Sequence, residues 1–374
     1  MKILLIGNYP YLYSKSMDKY ANLLYDKLTE RGHIVRLLKP FPILGKIKPS
    51  PNGLGKWLGY VDRFFLFIPS LKKAVAWADI THICDHANAV YLPLVKEKPH
   101  VVTCHDVIAI QNAYGDFYEN TIKFFGRLFQ KWILFSLEKS KNIICVSEKT
   151  KQDFIKLSRN KFHNNIIVIK NGMNYPFQPL KNEVAIDILE QSGIDYTIPF
   201  FIHVGSNVWR KNKRGLFEIT AELSELWKNQ VFNLVLVGEA LTKELFDYAK
   251  SLGIESRIIQ VGKISDRELQ ALYSISKGLI FPSIAEGFGW PIIEAQACGC
   301  PVFTTNRPPM TEIGGKAAIY FDIEDKLSAA KIIYSVLNNP ELISEMKKNG
   351  YENAKQYSSD TMIENIEKLY TNII

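Results

Sequence analysis

Several common nucleotide-handling signatures are missing from this chain. No Gly-x-Gly-x-x-Gly follows a first strand with an acidic residue about 20 positions on, which excludes the usual dinucleotide oxidoreductase. The phosphate loop Gly-x4-Gly-Lys-Ser/Thr is missing as well, so a P-loop nucleotidase is excluded. No Asp-x-Asp is available to hold a divalent ion on a diphosphate. No stretch approaches the ~18 apolar residues of a membrane span. There is no low-complexity tract and no repeat of fixed period. A targeting segment is not expected, because Met1-Lys2 runs straight into Ile3, Leu4, Leu5, Ile6 and Gly7. The five cysteines (Cys84, Cys104, Cys145, Cys298, Cys300) are odd in number and scattered, which fits a reduced cytoplasmic protein. Cys298-x-Cys300 has no second pair to complete a metal site. His82-x3-His86 has zinc-like spacing only on a helix, and here it reads as a strand entering a loop, so ordinary structure is expected.

What is present is a chain of 374 residues, 47% hydrophobic and 22% charged, the size of two domains of roughly 150–200 residues. Its charge of +8 is uneven. Met1 to Tyr175 holds 26 Lys and Arg against 13 Asp and Glu, whereas Pro176 to Ile374 holds 20 against 25. A basic half of this kind fits an anionic partner, such as phospholipid headgroups, nucleic acid or a phosphorylated acceptor; a merely solvated lysine-rich surface fits equally.

Short apolar runs alternate with helical periodicity. Strands are expected at Lys2–Ile6, His33–Leu38, Asp79–Ile83, His100–Cys104, Asn142–Val146 and Ile166–Ile169, with a helix at Asp18–Glu30 and a turn at Asn171-Gly172. Two prolines near Tyr175–Pro179 break the pattern. It then restarts with strands at Phe200–Val204, Asn233–Val237, Ile258–Val261 and Gly278–Phe281, separated by helices at Leu216–Trp227, Leu241–Leu252 and Asp266–Tyr273. Strand and helix in alternation predict two doubly wound, Rossmann-like parallel sheets. The domains are placed at 1–176 with 355–374, and at 177–354. Ligands bind beyond the carboxyl ends of such strands. Those ends carry Gly7, His105, Gly205, Gly238 and Glu286.

The most informative stretch is Phe281 to Pro301. A strand ends, Glu286-Gly287-Phe288-Gly289 follows, Pro291 suits a helix start, Glu294 is expected in the first turn, and Gly299 suits the helix end. Glycines ahead of a helix N-terminus let backbone N–H groups approach an anion, and the helix dipole favours negative charge there. Carboxylates can accept hydrogen bonds from sugar hydroxyls.

With Glu286-x7-Glu294 in this form, the stretch resembles the signature of the family 4 retaining glycosyltransferases, which have the GT-B fold. Val204-Gly205-Ser206-Asn207-Val208-Trp209-Arg210-Lys211-Asn212 is similar to the family's Val-Gly-x4-Arg-Lys-Asn segment. Cys145-Val146-Ser147-Glu148, Asn171-Gly172-Met173-Asn174 and His105-Asp106 also match. The resemblance implies two domains facing across a cleft, a terminal helix crossing back to the first domain, and retaining transfer of a hexose-type sugar from a nucleoside-diphosphate sugar without metal or cofactor. It further implies that Arg210 and Lys211 grip the diphosphate, Glu286 and His105 contact the donor sugar, and Glu294 holds the ribose. Gly205, Gly238, Gly287, Phe288 and Gly289 would line the donor site. Many members carry a Gly-Gly pair in the first loop; here Gly7 to Met17 lacks it, so no acceptor contact is carried over to this loop.

Trp57–Trp77 and Thr121–Lys141 mix aromatic with basic residues. Lys123, Arg127 and Lys131 form a stripe on one helix face, with Ile122, Phe125, Phe129, Trp132 and Leu137 elsewhere around it. The preferred expectation is a packed domain helix with one wet stripe; the other is a helix lying on an anionic membrane. Partners expected are a nucleotide-sugar donor and a carbohydrate or lipid-linked acceptor, with no nucleic acid. The competing reading is a basic surface-binding protein with an inactive version of the fold.

Overall fold

A computed structural model describes residues 1–12, 15–50, 53–117, 123–158 and 165–374. Thr121, Ile122 and, in the first loop, Tyr13 and Ser14 lie outside the described residues. The chain forms two units: Met1–Asn174 with Ser359–Ile374, and Tyr175–Ser358.

The first unit contains a six-stranded sheet of β1 (Lys2–Ile6), β2 (Ile34–Leu38), β3 (Ile80–Ile83), β4 (His100–Cys104), β5 (Asn142–Cys145) and β6 (Asn165–Val168). The order is β2-β1-β3-β4-β5-β6, all parallel. The inner strands β1, β3 and β4 are buried nearly throughout, as a parallel sheet covered on both faces requires, while the edge strand β2 is partly exposed. Asn171-Gly172, expected as a turn, is instead irregular backbone whose Gly172 amide donates to Met362 Sδ at 3.2 Å.

The second unit repeats the architecture with β7 (Phe200–Gly205), β8 (Asn233–Gly238), β9 (Ile258–Gly262), β10 (Gly278–Phe281), β11 (Val302–Thr305) and β12 (Ala318–Phe321). Its order is β12-β11-β10-β7-β8-β9. The order reverses beside β7, and β10, not β8, takes that side of it, so a crevice opens beyond the carboxyl ends of β7 and β10. Two of these strands, β11 and β12, are not marked by periodicity. Each is a short strand held by its neighbours in the sheet.

The tail is two helices. Pro340–Lys355 belongs to the second unit and Ser359–Ile373 to the first, with the crossing at Gln356–Ser358. The last helix buries Met362, Ile363, Ile366, Leu369 and Tyr370. Arg31 pairs with Glu367 at 2.9 Å, and Tyr370 Oη lies 2.6 Å from His82 Nδ1.

Candidate active site

The site is built where β7 and β10 end. After β7 the chain makes a single turn, Trp209–Lys211, and Asn212 adopts φ 53°. Asparagine tolerates this left-handed conformation better than most residues. Its side chain then accepts from the Gly215 amide at 3.1 Å, capping the helix Lys213–Leu226, and donates to the Pro282 carbonyl at 3.3 Å. The Ile284 amide donates to the Arg210 carbonyl at 2.8 Å. These bonds tie the turn after β7 to the loop after β10.

That tie brings Arg210, Lys211 and Glu286 together. Arg210 Nη1 is 2.5 Å from Glu286 Oε2, and Lys211 Nζ is 2.6 Å from Oε1. Nζ of Lys211 also lies 4.9 Å from the centre of the Phe281 ring. Burial pushes the Glu286 carboxyl up, but the charges of Lys211 and Arg210 together outweigh it and hold the group below its ordinary value. Burial lowers Lys211, opposed by Glu286. Both ends of the pair therefore shift down. For Glu286 the two cations decide the direction; for Lys211, desolvation together with Arg210 outweighs the pull of Glu286 and Glu294. The cluster holds two positive charges against one negative, a net +1 in a largely dry pocket.

The next helix, Trp290–Ala297, starts at Gly289, whose φ of 108° is glycine territory, and Pro291 falls in its first turn. Glu294 stands one residue past the first turn, not within it as expected, so complementing the helix dipole is a poor explanation for it. It is nearly buried and accepts from Tyr273 Oη at 3.2 Å. Gly205 and Gly238 are cross-strand partners at the sheet's end. A Cβ on Gly238 would sit 2.5 Å from the Gly205 carbonyl oxygen, and one on Gly205 would crowd His203 and Lys211. Gly205 keeps the space beside Lys211 clear, and Gly238 lets the two strand ends approach closely.

Three contributors escaped the sequence reading. His203 lies within β7, its Nδ1 on the Ile280 carbonyl at 3.0 Å, and burial holds its pKa down to about 3, so the ring is neutral. Lys213 is buried with Nζ donating to Asn207 Oδ1 at 2.7 Å; burial brings it down to about 8 against the pull of Glu239. Asn207 in turn donates to the Ala240 carbonyl at 2.6 Å, joining the loops after β7 and β8. A polar residue inside an apolar strand, as at His203, was the one available signal.

In the first unit, His105 follows β4 and is buried, with Nε2 2.9 Å from the Cys84 carbonyl oxygen and its ring edge-on to Tyr20. Burial lowers its pKa against Asp85. Asp85 accepts from Asn8 at 2.6 Å, and Asn88 donates to Asn8 at 2.5 Å, so the ends of β1 and β3 carry a buried polar network where that sheet's order reverses. His82 and His86 do not share a ligand: His82 bridges Tyr370 and Thr103, and His86 lies beside Asp85. Among the described residues, no group of three His, Cys, Asp or Glu is placed to hold a metal ion, and all five cysteines are free and buried.

Two doubly wound units, with an Arg-Lys-Glu cluster and a glycine-led helix at the reversal point of the second sheet, define a glycosyltransferase of the GT-B class. Comparison with known proteins places the chain within that class. Residues 17–175 match "Glycosyltransferase Family 4" and residues 185–353 match "Glycosyl transferases group 1". The chain belongs to this family. It is 26% identical over 312 residues to O-antigen chain mannosyltransferase B of Escherichia coli, covering 81% of this chain and 80% of the relative. Among solved structures it superposes on sucrose-phosphate synthase from Thermosynechococcus elongatus with a TM-score of 0.74 at 17% identity, covering 100% of this chain and 98% of that one. It also superposes on Anabaena HepE in complex with UDP-glucose, with a TM-score of 0.72 at 17% identity, covering 100% of each.

Proposed function

We propose that this chain transfers a hexose-type sugar from a nucleoside-diphosphate sugar to a hydroxyl of a glycan or glycolipid, with retention at the anomeric carbon and without a metal. The observation that carries this is the Arg210–Lys211–Glu286 cluster at the reversal point, where two cations meet one carboxylate. Arg210 and Lys211 hold the diphosphate. Glu286 orients them and presents its carboxylate to a hydroxyl of the donor sugar. Glu294, braced by Tyr273, takes the ribose hydroxyls. The amides of Gly287, Phe288 and Gly289 meet phosphate oxygen, and Gly205, packed closely by Gly238, leaves it room beside Lys211. His105, whose pKa burial lowers, is assigned to the donor sugar on the family's pattern.

In the transfer, the bond between the anomeric carbon and the phosphate oxygen breaks as the acceptor oxygen bonds to that carbon from the same face. The acceptor proton passes to a phosphate oxygen of the departing nucleoside diphosphate. Negative charge grows on that phosphate, so fixed cations favour the transition state over the bound donor, by about 2–4 kcal/mol for one such group. The mannosyltransferase relative and the UDP-glucose complex of HepE support a hexosyl donor. The surface-binding alternative is not favoured, since it leaves the Glu286–Glu294 helix start without a purpose.

The test is thermal unfolding with EDTA against uridine, guanosine and adenosine diphosphates and their sugars. A ligand at 100 times its dissociation constant adds about 2.7 kcal/mol. A shift with one base is expected. Folded protein that shifts with none would overturn the reading.

A further inference from the structure

One face of the first unit is not used by the proposed transfer. The helix Phe124–Leu137 packs on one side only, through Ile133, Leu134 and Leu137. On the opposite side Phe124, Leu128, Trp132 and Phe135 follow one another at spacings of three and four residues, so they form one stripe, and all four are exposed. Phe124 is 70% exposed and its neighbour Phe125 68%. Lys123, Arg127 and Lys131, also exposed, border the stripe. The wet stripe expected for a packed helix is therefore apolar as well as basic.

The helix Gly53–Val61 extends the face. Trp57, 53% exposed, sets its ring 6.1 Å from that of Phe125, and Tyr60 lies 5.9 Å from Phe129, making the aromatic surface continuous across two helices. Between Lys39 and Trp77 the chain has seven basic residues and a single acidic one, Asp62. Asp62 is fully buried, accepting from Tyr9 at 2.8 Å and from the amides of Ile43, Leu44 and Gly45. The helix Phe124–Leu137 has no acidic residue at all. The face thus combines exposed rings with the basic side chains of Lys123, Arg127 and Lys131, which have no ion-pair partner among the described residues.

We propose that this face docks the protein on an anionic lipid bilayer, the rings entering the headgroup boundary and the bases meeting lipid phosphates. Aromatic residues favour that boundary, and each base near an anionic surface adds attraction. A contiguous apolar patch of this kind is uncommon on a surface that stays in water. A second copy is a poor occupant, because a twofold contact would set the basic stripe against itself. The proposal goes beyond the transfer reaction and does not depend on the donor.

The test is sedimentation of the full chain with vesicles of phosphatidylcholine alone or mixed with phosphatidylglycerol, at low and high salt. Binding is expected to the anionic vesicles, weakening with salt. K123Q/R127Q/K131Q should lose about a hundredfold in partitioning, and F124S/F125S about tenfold or more. Both variants change exposed side chains and should keep the unfolding temperature and nucleotide-induced shift of the parent, which separates this proposal from the donor reading. Wild-type protein left in the supernatant with anionic vesicles at low salt would overturn it, as would variants that bind like the parent. A dimer dissolved by F124S/F125S would reassign the face to self-association, and tighter binding to a single-stranded oligonucleotide than to vesicles would reassign it to nucleic acid.

Discussion

Arg210 and Lys211 bring two positive charges to one buried carboxylate, so removing the carboxylate strands both cations, whereas removing one cation leaves a balanced pair. Lys211→Ala should lower kcat about a hundredfold to a thousandfold, measured with saturating donor once the base is known. Glu286→Gln should cost about 3 kcal/mol of stability near neutral pH, because it strands two cations in a dry pocket. The pH dependence has a definite sign. The folded-state pKa of Glu286 lies below its ordinary 4.5, so its stabilisation is complete above that value and disappears as pH falls through the folded pKa. The gap in melting temperature between wild type and Glu286→Gln should therefore be widest near neutrality and close in acid. A gap constant with pH would contradict the ion-pair account. At this scale the sequence was informative about Arg210, Lys211 and Glu286, whose spacing within two motifs stands out. It was silent on Tyr273 and Lys213, which look like ordinary helix residues until the fold places them beside Glu294 and Asn207.

The secondary elements deliver these residues through a few backbone constraints. Gly238 has φ 133° and no room for a Cβ against the Gly205 carbonyl. Gly238→Ala should destabilise the protein by about 1–3 kcal/mol, read as a lower urea midpoint with unchanged slope. Glu294 tests the helix Trp290–Ala297 differently. Since it lies beyond the first turn, Glu294→Gln, which keeps an acceptor for the buried Tyr273 hydroxyl, should change stability little and weaken nucleoside-diphosphate binding about tenfold, by calorimetry. Equal affinity would return Glu294 to a structural role. Ten of the twelve strands were legible as short apolar runs bounded by glycine, proline or a charged turn. Val302–Thr305 and Ala318–Phe321 were not, and their state is set by their neighbours in the sheet.

In the whole molecule, the proline-marked break near Tyr175 was visible in the sequence, and the units divide at Asn174 and Tyr175. The destination of the last helix was not, except through family resemblance. An amphipathic pattern says which face is apolar but not which surface covers it. The structure supplies the partners: Tyr370 to His82, His82 to Thr103 at 2.6 Å, and Thr103 to Tyr20 at 3.1 Å, all buried. Tyr370→Phe should cost about 1–3 kcal/mol by leaving the His82 nitrogen unsatisfied, seen in thermal unfolding. Because Ser359–Ile374 completes the unit that begins at Met1, the order of synthesis and the order of completion differ. The first sheet leaves the ribosome with His82 and its apolar surroundings still lacking their covering helix, whereas Tyr175–Ser358 is contiguous and can close as soon as it emerges. Ser359–Ile374 therefore acts as a seal on a unit made earlier, and a nascent chain stalled short of Ser359 would present an unfinished surface to chaperones and proteases.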